Sequence, residues 1–355
     1  MEFESAFQLA LNKSIAFVIY REPGTQNPIW LFSKDTPKAE AQFEMKSGFW
    51  MHPFVQSKET PAFCTQPDFE FEGWNLPDDI EDLLHSADQK SESISAPIEI
   101  SHTEYISQLE KGIDFLKEGK LKKFIFSRVK TQENSTAKTI QAFRNLERLY
   151  PDAFVYFIQH PRYGSWMGAT PETLIHHQNQ TAQTVALAGT QPLNTSYTWG
   201  EKEQEEQALV TEFIESTLAQ HQVTPTKKGP FTVEAGKVAH IKTELSWQTQ
   251  NHDTAYWSSL INDLHPTPAV CGLPRNKAFD YIKELEPQDR RYYSGFLGRI
   301  HDNKKFKLYV NLRCMEVFEN VLALRLGGGI TARSVAEDEW LETEEKAKTL
   351  LAALQ

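Results

Sequence analysis

Residues 153–190 read AFVYFIQHPRYGSWMGATPETLIHHQNQTAQTVALAGT, and this stretch decides the fold class. Strand-like runs at 153–158, 165–168, 173–176 and 183–188 are rich in aromatic and β-branched side chains, with turn residues between them, the pattern of an antiparallel sheet. Upstream, Ser101 with Glu104 three residues on forms a capping box, and Ile106, Leu109, Ile113 and Leu116 follow at helical spacing until Gly119. Phe124-Ile125-Phe126 then reads as a short strand, and a helix over about 136–149 ends before Pro151. Downstream, a helix of about twenty residues begins near Glu201. Strands are expected at 306–312 and 321–326, then Gly327-Gly328-Gly329, and a last helix starts near Ala336. The first hundred residues offer strand-like runs at 14–20 and 29–33, then aromatic-rich irregular chain without a motif. The small polar segment Ser86–Ser95 reads as a surface connection closed by Pro97, which divides the chain into residues 1–97 and 98–355.

With 355 residues, 40% of them hydrophobic, the chain has ample material for a core. The net charge of −11 argues against nucleic-acid binding, which depends on Lys and Arg at phosphates, but leaves room for a locally basic pocket. Cys64, Cys271 and Cys314 are odd in number and widely spread, which fits a reducing compartment. The start Met1-Glu2-Phe3-Glu4 is acidic where a signal peptide is basic, and no run of about 18 apolar residues occurs. A soluble, cytoplasmic protein without membrane contact is expected.

Several residues bear on chemistry. Glu203 with Glu206, and Glu339 with Glu342, are pairs three apart on expected helices, so each helix can present two carboxylates to one point. Four oxygen donors suit a hard cation such as Mg²⁺; in an acidic chain the commoner meaning of such pairs is a solvated face. The glycine run at 327–329 serves an anion through backbone N–H groups or, more often, a tight turn. Arg313, inside an otherwise apolar strand, calls for a carboxylate partner, either a structural Glu or a ligand. Lys123 at the head of an apolar strand is a base candidate or a surface lysine. Glu172 in the turn Gly168–Glu172 is a buried acid or a solvated carboxylate. His240 in Val-Ala-His-Ile most simply satisfies itself within a strand. No GxxxxGK[ST] or GxGxxG fingerprint and no Ser/His/Asp or Cys/His arrangement occurs.

Taken in order, nine motifs make a set: KFIFSR (123–128), GATPE (168–172), AGT (188–190), KEQEE (202–206), HPTPAVCGLP (265–274), RYYSG (291–295), LRC (312–314), GGGI (327–330), and EWLET (339–343) with Lys346. This set resembles the chorismate-utilising enzymes, and among them the isochorismate synthases, over roughly residues 100–355. The resemblance implies an α+β fold, a large antiparallel β-sandwich flanked by helices. Residues 1–97 would form a β-rich part of the same composite fold, and 98–355 the chorismate-binding catalytic region. It further implies that Glu206 and Glu342 hold Mg²⁺ with support from Glu203 and Glu339. Arg313, Lys346 and the backbone at Gly189, Thr190, Gly327 and Gly329 would hold the substrate carboxylates. Tyr293, His240, Ala188, Ala269 and Val270 would line the pocket. Lys123 matches the general base that activates water, and Glu172 the general acid that protonates the departing C4 hydroxyl.

Within the resemblance, Ala188 stands where the aminodeoxychorismate type of relative places a lysine nucleophile, and Pro268-Ala269-Val270 matches the water-adding branch. The expected activity is chorismate to isochorismate, as a monomer without an amidotransferase partner, in menaquinone or siderophore supply. Salicylate synthase, with Thr in place of Ala269, is the alternative, then an amine-adding subunit. A catalytically dead binding subunit is disfavoured because the acid, base and metal positions are all intact. Two departures from the pattern are Gln207, where His is usual, and Gly328, where Ala is usual.

Overall fold

Alternation along the strand Phe154–His160 sets the layers. Phe154, Tyr156 and Ile158 pack with Val18, Tyr20, Phe49 and Tyr309 between two sheets, while Val155 and Phe157 meet Phe7, Phe143 and Leu146 on the helix side. All seven residues of the strand are buried, and its first five, Phe154 to Ile158, form a continuous apolar run. The computed structural model describes residues 1–86, 91–194, 196–235, 238–250 and 252–355.

One nine-stranded sheet runs, edge to edge, Gly272–Leu273, Lys123–Glu133, Val321–Ile330, Cys314–Val317, Gly164–Thr170, Phe154–His160, Ala16–Arg21, Ile29–Ser33 and Phe69–Glu72. The other, also nine-stranded, runs Thr226–Ala235, Val238–Gln248, Thr181–Pro192, Thr173–Gln178, Lys305–Val310, Phe296–Asp302, Gly48–His52, Ala62–Thr65 and Ala39–Glu40. Neighbouring strands are antiparallel among the described residues. Helices Phe3–Asn12 and Thr136–Leu149 cover the first sheet, and Glu201–Gln220 and Thr254–Leu264 cover the second. Helices His102–Lys117 and Arg275–Leu285 pack over Phe124 and Phe126 at the Lys123 end of the first sheet. Each fully buried aromatic ring in these layers contributes about 1.5–3 kcal/mol relative to exposure.

The expected α+β architecture, an antiparallel sandwich with helices outside, is what the chain forms. Strands from the first 97 residues join both sheets, so that part shares the common core. Its helix Phe3–Asn12 was not anticipated, although Phe3, Ala6, Phe7 and Ala10 are all buried at helical spacing. The Ser101–Glu104 capping box is present, with Ser101 Oγ accepting from the Glu104 amide and the Glu104 carboxylate accepting from the Ser101 amide at 2.8 Å. Of the polar segment Ser86–Ser95, residues 87–90 lie outside the described residues, and 91–95 carry no helix or strand.

Three expectations are corrected. The strand at Phe124–Phe126 extends over Lys123–Glu133. Gly327-Gly328-Gly329 makes no turn: it continues the strand Val321–Ile330 and pairs with Ser127, Phe126 and Ile125. Arg313 is not inside a strand, because the chain leaves the second sheet after Val310 and enters the first at Cys314. Arg313 takes φ +48° at that crossing.

Candidate active site

The chain changes sheets at several places, and two of these crossings lie side by side. Strand Gly164–Thr170 belongs to the first sheet and Thr173–Gln178 to the second, so Pro171 and Glu172 form one crossing. Asn311–Arg313 form the other, in the opposite direction. The Val310 amide donates to the Glu172 carbonyl at 2.9 Å, and the Ala169 amide donates to the Arg313 carbonyl at 3.1 Å. Asn311 secures this junction: its side-chain Nδ2 donates to the Tyr292 carbonyl at 2.8 Å and its side-chain oxygen accepts from Tyr156. A crossing cannot continue a ladder, so its side chains are free to enter the gap between the sheets. Glu172 and Arg313 both line the cavity there.

Glu172 is 3% exposed, and burial pushes its pKa up to about 8 despite Lys123 and Arg313 nearby. Its carboxyl is therefore protonated at neutral pH. Arg313 is brought down to about 10 by burial and stays a cation. Its guanidinium donates to His240 Nε2 at 2.6 Å, while His240 Nδ1 meets the Gly189 carbonyl at 2.8 Å. Burial, then the charge of Arg313, lowers His240 to about 3, so the ring is neutral. A neutral ring meets both contacts only if Nδ1 carries the proton and Nε2 accepts from Arg313. His240 is thus a support for Arg313 as well as a pocket wall.

The opposite end of the cavity is charged. Helix Glu201–Gln220 presents Glu203 and Glu206, and helix Ala336–Leu351 presents Glu339, Glu342 and Lys346. Lysines face the carboxylates: Lys123 donates to Glu206 at 2.5 Å, Lys346 to Glu342 at 2.7 Å and Lys202 to Glu339 at 3.0 Å. Burial disfavours the Glu206 carboxylate, but Lys123, Lys346 and Lys202 together outweigh it and its pKa is lowered. Glu339 moves the other way, raised by burial and by Glu342. Lys346 also donates to the Gly327 carbonyl at 2.9 Å.

The glycine strand explains how these groups come so close. A Cβ on Gly329 would lie 2.7 Å from Glu206 Oε1 and 2.9 Å from Lys123 Cε. One on Gly327 would lie 2.8 Å from the Tyr293 hydroxyl. One on Gly328 would meet Glu339 Oε2 at 3.3 Å and Glu342 Oε1 at 3.7 Å, a fit that needs only a small adjustment. The strand thus serves as a flat floor, and at 327 and 329 only glycine leaves the polar groups in place.

Among the described residues, no three His, Cys, Asp or Glu side chains converge closely enough, as they stand, to hold a metal ion. The donor set nevertheless suits a hard cation. Glu339 Oε2 is buried without a hydrogen-bond partner, and Glu339 and Glu342 approach one point above Gly328. Carboxylate oxygens without nitrogen or sulfur donors are what Mg²⁺ prefers.

Of the residues singled out from the sequence, all but Lys123 and Glu339 line the cavity, including Ala188, Thr190, Ala269, Val270, Tyr293, Gly189, Gly327 and Gly329. Lys123 is fully buried behind Glu206 and reaches it from the strand side, and Glu339 is 2% exposed behind Lys202. The sequence reading missed Lys202 as the partner of Glu339, and Ile125, Ser294 and Leu312 as walls. Lys202 had a signal: a lone cation opening an acidic helix whose carboxylates face inward.

Comparison with known proteins gives the family and the fold. The family of chorismate binding enzymes matches residues 75–352. A vibriobactin-specific isochorismate synthase of Vibrio cholerae is 28% identical over 288 residues, covering 76% of this chain and 70% of that one. The isochorismate synthase DhbC of Bacillus subtilis is 29% identical over 275 residues, covering 71% and 67%. Among solved structures, the menaquinone-specific isochorismate synthase MenF of Escherichia coli superposes with a TM-score of 0.80 at 20% identity, over 99% of this chain and 91% of that one. With a family match over most of its length and the fold shared from end to end, the chain belongs to the chorismate binding enzymes.

Proposed function

We propose that this enzyme converts chorismate to isochorismate, adding water at C2 of the ring as the C4 hydroxyl leaves. The observation that carries the reading is one cavity holding a protonated acid, Glu172, with a buried lysine, Lys123, behind its charged end. Lys123 acts as the base in its neutral form, after its ammonium has given up a proton: it takes a proton from the attacking water, and Glu172 gives its proton to the departing hydroxyl, which leaves as water. One water enters and one leaves, so the product is an isomer. Ala188 and Ala269 put methyl groups on the wall, so no side chain there competes with water as nucleophile.

Arg313, set by neutral His240, and Lys346 are the cations for the substrate carboxylates, with backbone at Gly189, Thr190, Gly327 and Gly329 alongside. Glu206 and Glu342, supported by Glu203 and Glu339, are the residues to hold Mg²⁺. When bound, the ion offsets substrate negative charge and orients a carboxylate. Three unpaired, buried cysteines fit a reducing, cytoplasmic setting. Relatives named for a siderophore and for menaquinone bracket the pathway.

The test is the product mixture from purified protein with chorismate and Mg²⁺, without ammonium. Isochorismate alone, abolished by EDTA, is expected. Salicylate with pyruvate would move the enzyme to the lyase branch. Turnover only with ammonium or a glutaminase would overturn water as the nucleophile.

A further inference from the structure

One buried ion pair near the cavity takes no part in the chemistry above. Glu286 closes the helix Arg275–Leu285, and Arg290 follows four residues later, outside the helix; their side chains are 4% and 2% exposed. Arg290 grips Glu286 with two bonds, Nε to Oε2 at 2.8 Å and Nη2 to Oε1 at 2.6 Å. The remaining donors go to backbone: Nη1 to the Val270 carbonyl at 2.7 Å and Nη2 to the Ile125 carbonyl at 2.8 Å. Glu286 Oε1 also accepts from the Ser127 amide at 2.7 Å, and Phe54 lies under the guanidinium at 4.3 Å.

These partners form a pattern. The two-residue strand Gly272–Leu273 pairs with Lys123 and Phe124, and the Ile125 amide donates to the Cys271 carbonyl at 2.8 Å. There the neighbouring backbone turns away. The next edge groups of the Lys123 strand are the Ile125 carbonyl and the Ser127 amide. The guanidinium takes the first and the carboxylate the second, so the pair continues the ladder in place of a strand.

We infer that the Arg290–Glu286 pair is a positioning element of the active site, fixing the Lys123 strand against the Ala269–Val270 wall. Ile125 and Val270 both line the cavity, and Lys123 is two residues from Ile125. Tyr293 is held by the same segment, its amide donating to the Arg290 carbonyl at 3.0 Å. A bidentate fork with two further directed donors is a geometry that a lysine ammonium cannot reproduce. The inference rests on the isochorismate reading for its kinetic test only.

The test compares wild type with Arg290→Lys, Glu286→Gln and Arg290→Ala, using near-UV circular dichroism for folding and steady-state kinetics with chorismate. Arg290→Lys is expected to fold, to lose about tenfold or more in kcat, and to keep KM within a few-fold, the signature of misplaced reacting groups. Millimolar guanidinium is expected to restore part of kcat to Arg290→Ala and none to Arg290→Lys. Wild-type kcat in folded Arg290→Lys, or a loss that only tracks the folded fraction, would overturn the inference. If Arg290→Ala does not fold, Arg290→Lys decides. The wild-type reaction separates the two claims: no conversion of chorismate by wild type sinks the functional reading. In that case faster amide exchange at Ser127 in Glu286→Gln still supports the brace, and unchanged exchange defeats it.

Discussion

Glu172 and Glu206 are the same residue type in one cavity with the same lysine as a neighbour, yet they hold opposite charge states. Glu172 sits at a sheet crossing, and desolvation dominates its surroundings; its pKa rises to about 8. Glu206 sits on a helix that also carries Lys202 and faces Lys123 and Lys346, and these three cations outweigh desolvation and lower its pKa. Environment therefore sets the charge states, a neutral carboxyl at one end and an anion at the other. The difference comes from backbone architecture: a crossing supplies a single isolated side chain, whereas helices three residues in register supply charges in groups.

The largest expected effect is at the acid end. Glu172→Gln keeps size and hydrogen-bonding capacity but has no proton to give, and kcat should fall by about 10²–10⁴ with little change in KM. Near-normal turnover would remove Glu172 from the chemistry. At the anionic end, Glu206→Gln leaves the fully buried Lys123 without its carboxylate. A loss of about 3–5 kcal/mol in urea unfolding is expected, together with weaker Mg²⁺ binding by calorimetry.

Gly329→Ala tests the floor between them. Its methyl would collide with Glu206 and the Lys123 stem, and a displacement near 1 Å should reduce kcat/KM by about 10²-fold. The pH dependence of stability should differ between the two glutamates. Glu172 binds its proton more tightly folded than unfolded, so its contribution is whole below about 4.5 and is lost as pH rises through about 8. Glu206, with a lowered pKa, contributes above about 4.5 and loses that contribution as pH falls. Unfolding midpoints of Glu172→Gln and Glu206→Gln should therefore diverge from wild type at opposite ends of the pH range. The smallest effect is expected for Gly328→Ala, whose methyl fits beside Glu339 with a small adjustment. Its kcat/KM should stay within about threefold of wild type.

Much of this was legible in the sequence where signals are local. Strands with turn residues between them pointed to antiparallel sheet, the family resemblance supplied the sandwich, and Ser101 with Glu104 marked a real helix start. Most of the residues that line the cavity were legible as a set of motifs in order, through the family resemblance that the set carries. What stayed hidden depends on distant parts of the chain. Around Arg313 the one local trace of the change of sheet is a slip of phase, from Leu308 and Val310 before it to Met315 and Val317 after it, which a mostly apolar run masks. The glycines read as a turn because a turn is their usual local use; their place in a strand is dictated by Glu206, Lys123 and Tyr293 pressing on it. The partners of Lys123 and Lys202, 83 and 137 residues away, are products of packing alone.

The account stands most directly on the protonation state of Glu172. Carboxyl ¹³C chemical shifts of the glutamates, followed by NMR from pH 4 to 10 and assigned by loss of one signal in Glu172→Gln, would report it. The account predicts that the signal missing from the variant titrates near pH 8 in wild type. Titration of that signal near 4.5, the ordinary glutamate value, would mean that Glu172 is an anion at neutral pH and cannot be the acid.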